Sequence, residues 1–198
     1  IKKDGVVVGG STSGCCIAGE GDNTCLWAFE EDVPYGGRGG MNLCRYDIGT
    51  SAATWGKAPS AVFTAPSILM PNGNVNVVAT ERALFLSQWR GTGNNTEAAP
   101  SFIVCSYDGK VLFNSYSLLQ SLQGSLIGGM AVSRDCSRMA IANGDGTINL
   151  YAITWQGDGK PKFRYRYTIP STYGAVVAMQ FDFAGNLFIA SRCGLVGY

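Results

Sequence analysis

The 198-residue sequence predicts an all-β fold made of repeated four-stranded antiparallel sheets. Three observations carry that expectation: short apolar runs alternate with glycine-rich turns, no segment sustains a helical period, and a self-similar pattern returns about every fifty residues.

The stretch Leu126 to Ile153, LIGGMAVSRDCSRMAIANGDGTINLYAI, shows the unit best. Ile127, Met130 and Val132 belong to a first strand, Ser133 to Arg138 turns the chain back, and Met139 to Ala142 forms a second. Asn143, Gly144, Asp145 and Gly146 supply residues that tolerate positive φ in a hairpin turn. Thr147 to Ile153 is the third strand, with Ile148, Leu150 and Ala152 on one face and Asn149, Tyr151 and Ile153 on the other. After the polar loop Gly157 to Lys162, Phe163, Tyr165, Tyr167 and Ile169 alternate with Arg164, Arg166 and Thr168. Period two with one charged face suits an exposed outer strand.

The pattern restarts at Val176 to Phe181, turns at Phe183 to Asn186 and continues through Leu187 to Ser191. Met130 corresponds to Met179 at a step of 49 residues, and Ile141 to Ile189 at a step of 48. Such a sheet is apolar on both faces and is stable only between neighbours, which is the logic of a propeller blade. Blade-like units fall at about 1–65, 73–116, 126–170 and 175–198.

In the first unit Val6 to Val8 is a short strand that also suits closure of the ring. Cys15 and Cys16 lie between turn-forming residues, and Cys25 to Phe29 is apolar. Glu30 to Gly40 reads as a loop, Met41 to Ile48 as a third strand and Ser60 to Ala65 as an outer one. The second unit offers Gly73 to Thr80 as inner strand, Arg82 to Trp89 as its neighbour, and Phe102 to Tyr107 with Val111 to Tyr116 around Asp108, Gly109 and Lys110. The first unit is irregular, and the last stops at Gly194 to Tyr198 without a fourth strand. The expectation is therefore an incomplete β-propeller, with additional blades supplied by further sequence or a partner chain.

Composition narrows the functional classes. A formal charge of +1 and a pI near 7.7 remove the concentrated basic face that nucleic acid recognition needs. No apolar run is long enough for a membrane span. The chain has no histidine, so Ser-His-Asp and Cys-His nucleophilic systems and histidine-ligated metals are excluded from it. No catalytic residue, metal ligand set or cofactor is assigned.

The seven cysteines, Cys15, Cys16, Cys25, Cys44, Cys105, Cys136 and Cys193, lack CxxC knuckles. They read as small buried hydrophobes, with a disulfide between Cys25 and Cys15 or Cys16 as the alternative. Asp108, Asp145 and Asp158 stand beside glycine and read as turn caps. Glu30 with Glu81 or Asp108 is the carboxylate pair to consider for glycoside chemistry. Trp27, Trp55, Trp89 and Trp155 sit near strand ends, where a ring stacks on sugar, anchors a protein or packs between blades.

The segments GMNLCRYDIGTSAATWGKAPSAVF, GNVNVVATERALFLSQWRG and YDGKVLFNS resemble the large propeller proteins secreted or lipid-anchored by gut Bacteroidota. GMAVSRDCSRMAIANGDGTINLYAI is similar to WD-like and YVTN-like blades. The resemblance covers about Gly40 to Tyr198 and implies an extracellular or cell-envelope location. It also implies an accompanying immunoglobulin-like module.

The functional expectation is a non-catalytic binding or scaffold propeller that recognises a glycan or a protein. It presents the loops that join first to second strands. Arg82, Arg138 and Asn186 on those loops, with Trp89 and Trp155, are the candidate ligand-binding residues. Two alternatives stand beside it: a carbohydrate-active hydrolase or lyase with carboxylates at the propeller centre, and a structural module of an assembly.

Overall fold

The computed structural model describes residues 2–3, 6–7, 12–31, 41–50, 60–64, 74–89, 101–114, 129–143, 146–170, 174, 176–191 and 194–197. Strands β1 (Lys2–Lys3) and β2 (Val6–Val7) pair with each other. The first sheet is β3 (Thr12–Ala18), β4 (Cys25–Glu31), β5 (Met41–Asp47) and β6 (Ala61–Thr64). The second is β7 (Asn74–Ala79), β8 (Leu84–Trp89), β9 (Ser101–Cys105) and β10 (Val111–Asn114). The third is β11 (Gly129–Val132), β12 (Arg138–Ala142), β13 (Ile148–Trp155) and β14 (Pro161–Ile169). The fourth is β15 (Val176–Phe181), β16 (Leu187–Ser191) and β17 (Gly194–Gly197).

Within each sheet every strand is antiparallel to the next in sequence, and the first strands β3, β7, β11 and β15 pack side by side in that order. This is an incomplete β-propeller of antiparallel blades. The repeat is kept to the residue: Met130 faces Ile141 across the third sheet, and Met179 faces Ile189 across the fourth.

The sheets hold together because their middle strands are apolar on both faces. In β8, Leu84 and Leu86 pack with Trp27 and Leu43 of the first sheet, whereas Phe85, between them, packs with Met139 and Ile141 of the third. In β12 the alternation is of size: Met139 and Ile141 point to the second sheet, and Ala140 and Ala142 to the fourth. The fourth sheet fills that space with Met179, Phe181 and Ile189, so large side chains meet small ones across the interface. Between the second and third sheets an aromatic cluster closes the periphery. Phe163 of β14 lies 5.3 Å from Phe102 and 4.8 Å from Phe113, ring centre to ring centre.

Several local expectations change. Cys15 and Cys16 belong to strand β3, not to a turn, and β4 runs on through Glu31. Trp27 is fully buried in the middle of β4, because the first and second sheets meet over it. Among the described residues Val6–Val7 pairs with Lys2–Lys3 and not with the last sheet. Cys15, Cys16 and Cys25 are free thiols, so the proposed disulfide is absent. Cys15 is exposed, and Cys16 faces the core that Cys25 shares. Burial pushes the Cys16 thiol up to about 12 and that of Cys105 to about 11. In β14 a register shift opposite Leu150 and Tyr151 inserts Arg166, so Tyr165 and Tyr167 face opposite sides of the sheet. The residues Ser115 to Leu122, Gly144, Asp145, Trp55 and Cys193 lie outside the described residues.

Turns repeat as closely as strands. The backbone N–H of Ser106 donates to the Lys110 carbonyl, and that of Gln156 to the Lys160 carbonyl, both at 2.9 Å. Gly109 and Gly159 take φ of 83° and 79° at the fourth position, a left-handed conformation that glycine adopts without cost to a Cβ. The carboxylates close these turns. Ser106 and the Lys110 backbone hold the Asp108 carboxyl below its ordinary value, and Lys160 does the same for Asp158. Ser133 and Ser137 lower Asp135, and Asn186 lowers Asp182.

Two outcomes follow from this packing. Phe85→Ala lowers unfolding free energy by about 3 to 5 kcal/mol in urea titration, whereas Val111→Thr, on an exposed strand, changes it by less than about 0.5 kcal/mol. A depressed carboxyl pKa stabilises the fold above the unfolded value of about 4 and loses that contribution as pH falls through the folded value. Melting temperature followed from pH 5 to pH 2 therefore falls less steeply in an Asp108→Asn, Asp158→Asn, Asp182→Asn variant than in the parent; an equal slope contradicts the turn assignment.

Candidate functional site

The turns from first to second strand share a closing pattern. The N–H of Thr80 donates to the carbonyl of Ala83, that of Ser133 to Arg138 and that of Asp182 to Asn186, at 3.1, 2.9 and 2.9 Å. Arg138 and Asn186 are therefore equivalent turn-closing residues, and Arg82 lies one position short. Since the first strands pack side by side, the turns 19–24, 80–83, 133–138 and 182–186 gather on one face.

At the meeting point stands Arg134. Its Nε donates to Oε1 of Glu81 at 2.7 Å, and its Nη2 to Oε1 of Glu20 at 3.3 Å. Its guanidinium lies 5.0 Å over the ring of Phe183, itself 87% exposed. One side chain thus touches the turns of the three other sheets. The Glu81 carboxylate, and after it Glu20, push the Arg134 pKa further up, so the charge is fixed. These contacts are open to water, where solvent and salt screen ion pairs and leave them little weight in stability.

The turn that carries Arg134 is firmly seated. Cys136 takes φ 55° at the place where the neighbouring turns have Gly109, Gly159 and Gly185. Its side chain is buried, and its carbonyl accepts the Trp155 indole N–H at 3.0 Å. A non-glycine residue in this region costs on the order of 1 kcal/mol, which its burial and the indole hydrogen bond offset.

The five residues expected from sequence divide. Arg82 stacks 4.7 Å over the Trp155 ring and so ties the second sheet to the third. Arg138 donates to the Gly185 carbonyl at 3.0 Å and lies 5.6 Å over Phe181, tying the third sheet to the fourth. A Cβ at Gly185 would stand 1.8 Å from the Arg138 guanidinium, so glycine there makes room for the link. Asn186 donates its side-chain amide to Asp182 at 2.9 Å within its own turn. Trp89 ends β8 opposite Asn74, at the far end of the second sheet from these turns. Arg82, Arg138, Asn186 and Trp155 therefore come together on one face, and Trp89 does not.

Sequence reading passed over Glu20, Arg134 and Phe183 and weighed Glu81 only as a carboxylate partner of Glu30, although the four hold the same place in their turns. Each follows the residue that opens its turn, Gly19, Thr80, Ser133 and Asp182, and aligning the repeats on those openers would have placed the four in one column. Among the described residues no group of three Cys, Asp or Glu is placed to hold a metal ion. A cleft of about 920 Å³ opens between the third and fourth sheets, floored by Leu150, Ala152, Phe181 and Leu187 and reached past Arg138 and Arg166.

No protein-family model matches the chain, and no curated protein matches it. Solved structures do. A gluconolactonase from Xanthomonas campestris superposes with a TM-score of 0.52 at 16% identity, covering 87% of this chain and 55% of that one. Sqt1 of Saccharomyces cerevisiae superposes with a TM-score of 0.50 at 13% identity, covering 90% of this chain and 53% of that one. The chain spans about half the length of these structures. At such identities the likeness is one of fold, and it places the chain among propeller architectures.

Proposed function

We propose that the chain is a binding propeller and that the face of gathered turns meets a protein partner, with Arg134 and Phe183 at its centre. The observation that carries this reading is the convergence of four sheets on one arginine beside an exposed aromatic ring. Arginine and aromatic residues are enriched where protein interfaces hold most of their affinity, and a turn-built face suits a broad partner better than a small ligand. Ile17 of the first sheet and Val177 of the fourth are 66% and 62% exposed, which supports further blades or a partner chain against those two faces.

Hydrolysis of a carbohydrate-class substrate is the second reading. Glu20 and Glu81 come from different sheets and meet at the same point, and the higher TM-score belongs to a gluconolactonase, which supports this reading more than the first. The geometry weighs the other way. Both carboxylates are exposed and paired with one arginine, whereas a general acid needs a carboxyl kept protonated by burial.

Two measurements separate the readings. A photocrosslinking residue in place of Phe183 is expected to capture one partner in fixed stoichiometry, and Arg134→Ala to weaken that partner at least about tenfold. Turnover of gluconolactone by the wild-type chain, abolished in both Glu20→Gln and Glu81→Gln, would replace binding by catalysis.

A further inference from the structure

Strand β14 is the longest strand described, nine residues, and it pairs on one side only, with β13. Its outer backbone edge is open among the described residues. It carries Lys162, Arg164 and Arg166, all exposed, with no carboxylate within ion-pair distance among the described residues. The four ion pairs of the described residues use Arg45, Arg134 and Lys160 instead. In a chain of net charge +1, this strand holds three cations and no acid.

The register fixes where they point. Cross-strand partners share a face. Arg164 stands opposite Ala152, Lys162 opposite Thr154 and Tyr167 opposite Leu150, so all three face the fourth sheet. The inserted Arg166 lies beside Tyr167 on the lip of the cleft of about 920 Å³, above its apolar floor. Lysine or arginine alone suffices to guard an open strand edge against unwanted pairing. This edge adds Tyr165 and Tyr167, 54% and 58% exposed, and an apolar cleft, neither of which such protection requires. Exposed tyrosine and arginine around an apolar cleft have the composition of a recognition surface.

We infer that the open edge of β14 and the adjoining cleft bind an extended acidic peptide of a partner protein. The peptide adds as a strand to β14, its backbone completing the open edge. Acidic side chains at alternate positions meet Lys162, Arg164 and Arg166, and an apolar side chain on the same face enters the cleft beside Tyr167. The surface does not use Arg134 or Phe183, so it stands or falls independently of the face of gathered turns.

The test uses a fluorescein-labelled peptide of about nine residues, in which glutamate and leucine alternate on one face, titrated in fluorescence anisotropy. Binding in the micromolar range is expected, weakening with salt. Arg164→Glu with Arg166→Glu raises Kd at least about tenfold with an unchanged melting temperature, because both side chains are exposed. Leu150→Trp, which fills the cleft, weakens the same peptide, and so does methylation of alternate peptide nitrogens, which removes strand addition. Absence of saturation at about 1 mM overturns the proposal, and so does equal affinity for the methylated peptide. Tighter binding of a single-stranded oligonucleotide with the same residue dependence overturns it in favour of nucleic acid.

Discussion

A sheet that is apolar on both faces has no stable existence alone, and the whole arrangement is a response to that constraint. Each central strand alternates residues toward two neighbours, and neighbouring sheets answer in size: the alanines of β12 receive Met179 and Phe181, while Met139 and Ile141 on its other side reach the aromatic cluster around Phe85. Dense contact of this kind removes water from both faces at once, which is the dominant favourable term. The functional surface is a by-product. Sheets stacked by their faces must bring equivalent turns to one side, so any property repeated in the turns becomes a surface.

The turns show how that surface is built without a large outlay of ordering entropy. Asp108, Asp158 and Asp182 hold their turns through local hydrogen bonds, and Arg82 and Arg138 stack on the next sheet. Arg134 is thus presented by a backbone already fixed by Trp155 and Cys136, and preorganisation of this sort favours binding.

Much of the fold was legible because its signal is periodic. The equivalence of Met130 with Met179 and of Ile141 with Ile189 is visible as a repeat, and the structure pairs them in the same way in both sheets; the two faces of β13 are likewise legible from alternation. Less was legible wherever one residue breaks the period. The bulge at Arg166 sends Tyr165 and Tyr167 to opposite sides, which strict alternation conceals. Trp27 reads from sequence as lying near a strand end, yet two sheets close over it. At the site, Arg82 and Arg138 drew attention as charges in turns, and what sequence does not state is that their charge is already stacked on a ring. The free positions were one residue from the turn openers, in a column visible only when the repeats are laid over one another.

The order of strands has a kinetic side. Every strand pairs with the one before or after it in the chain, so each sheet zips from short-range hairpins and avoids the slow search that distant β pairing demands. The bond from Arg134 to Glu20 joins residues 114 positions apart, and it forms only once three finished sheets stand together. That bond is a late fastening: its removal speeds loosening of the assembled stack and leaves the rate of hairpin closure alone.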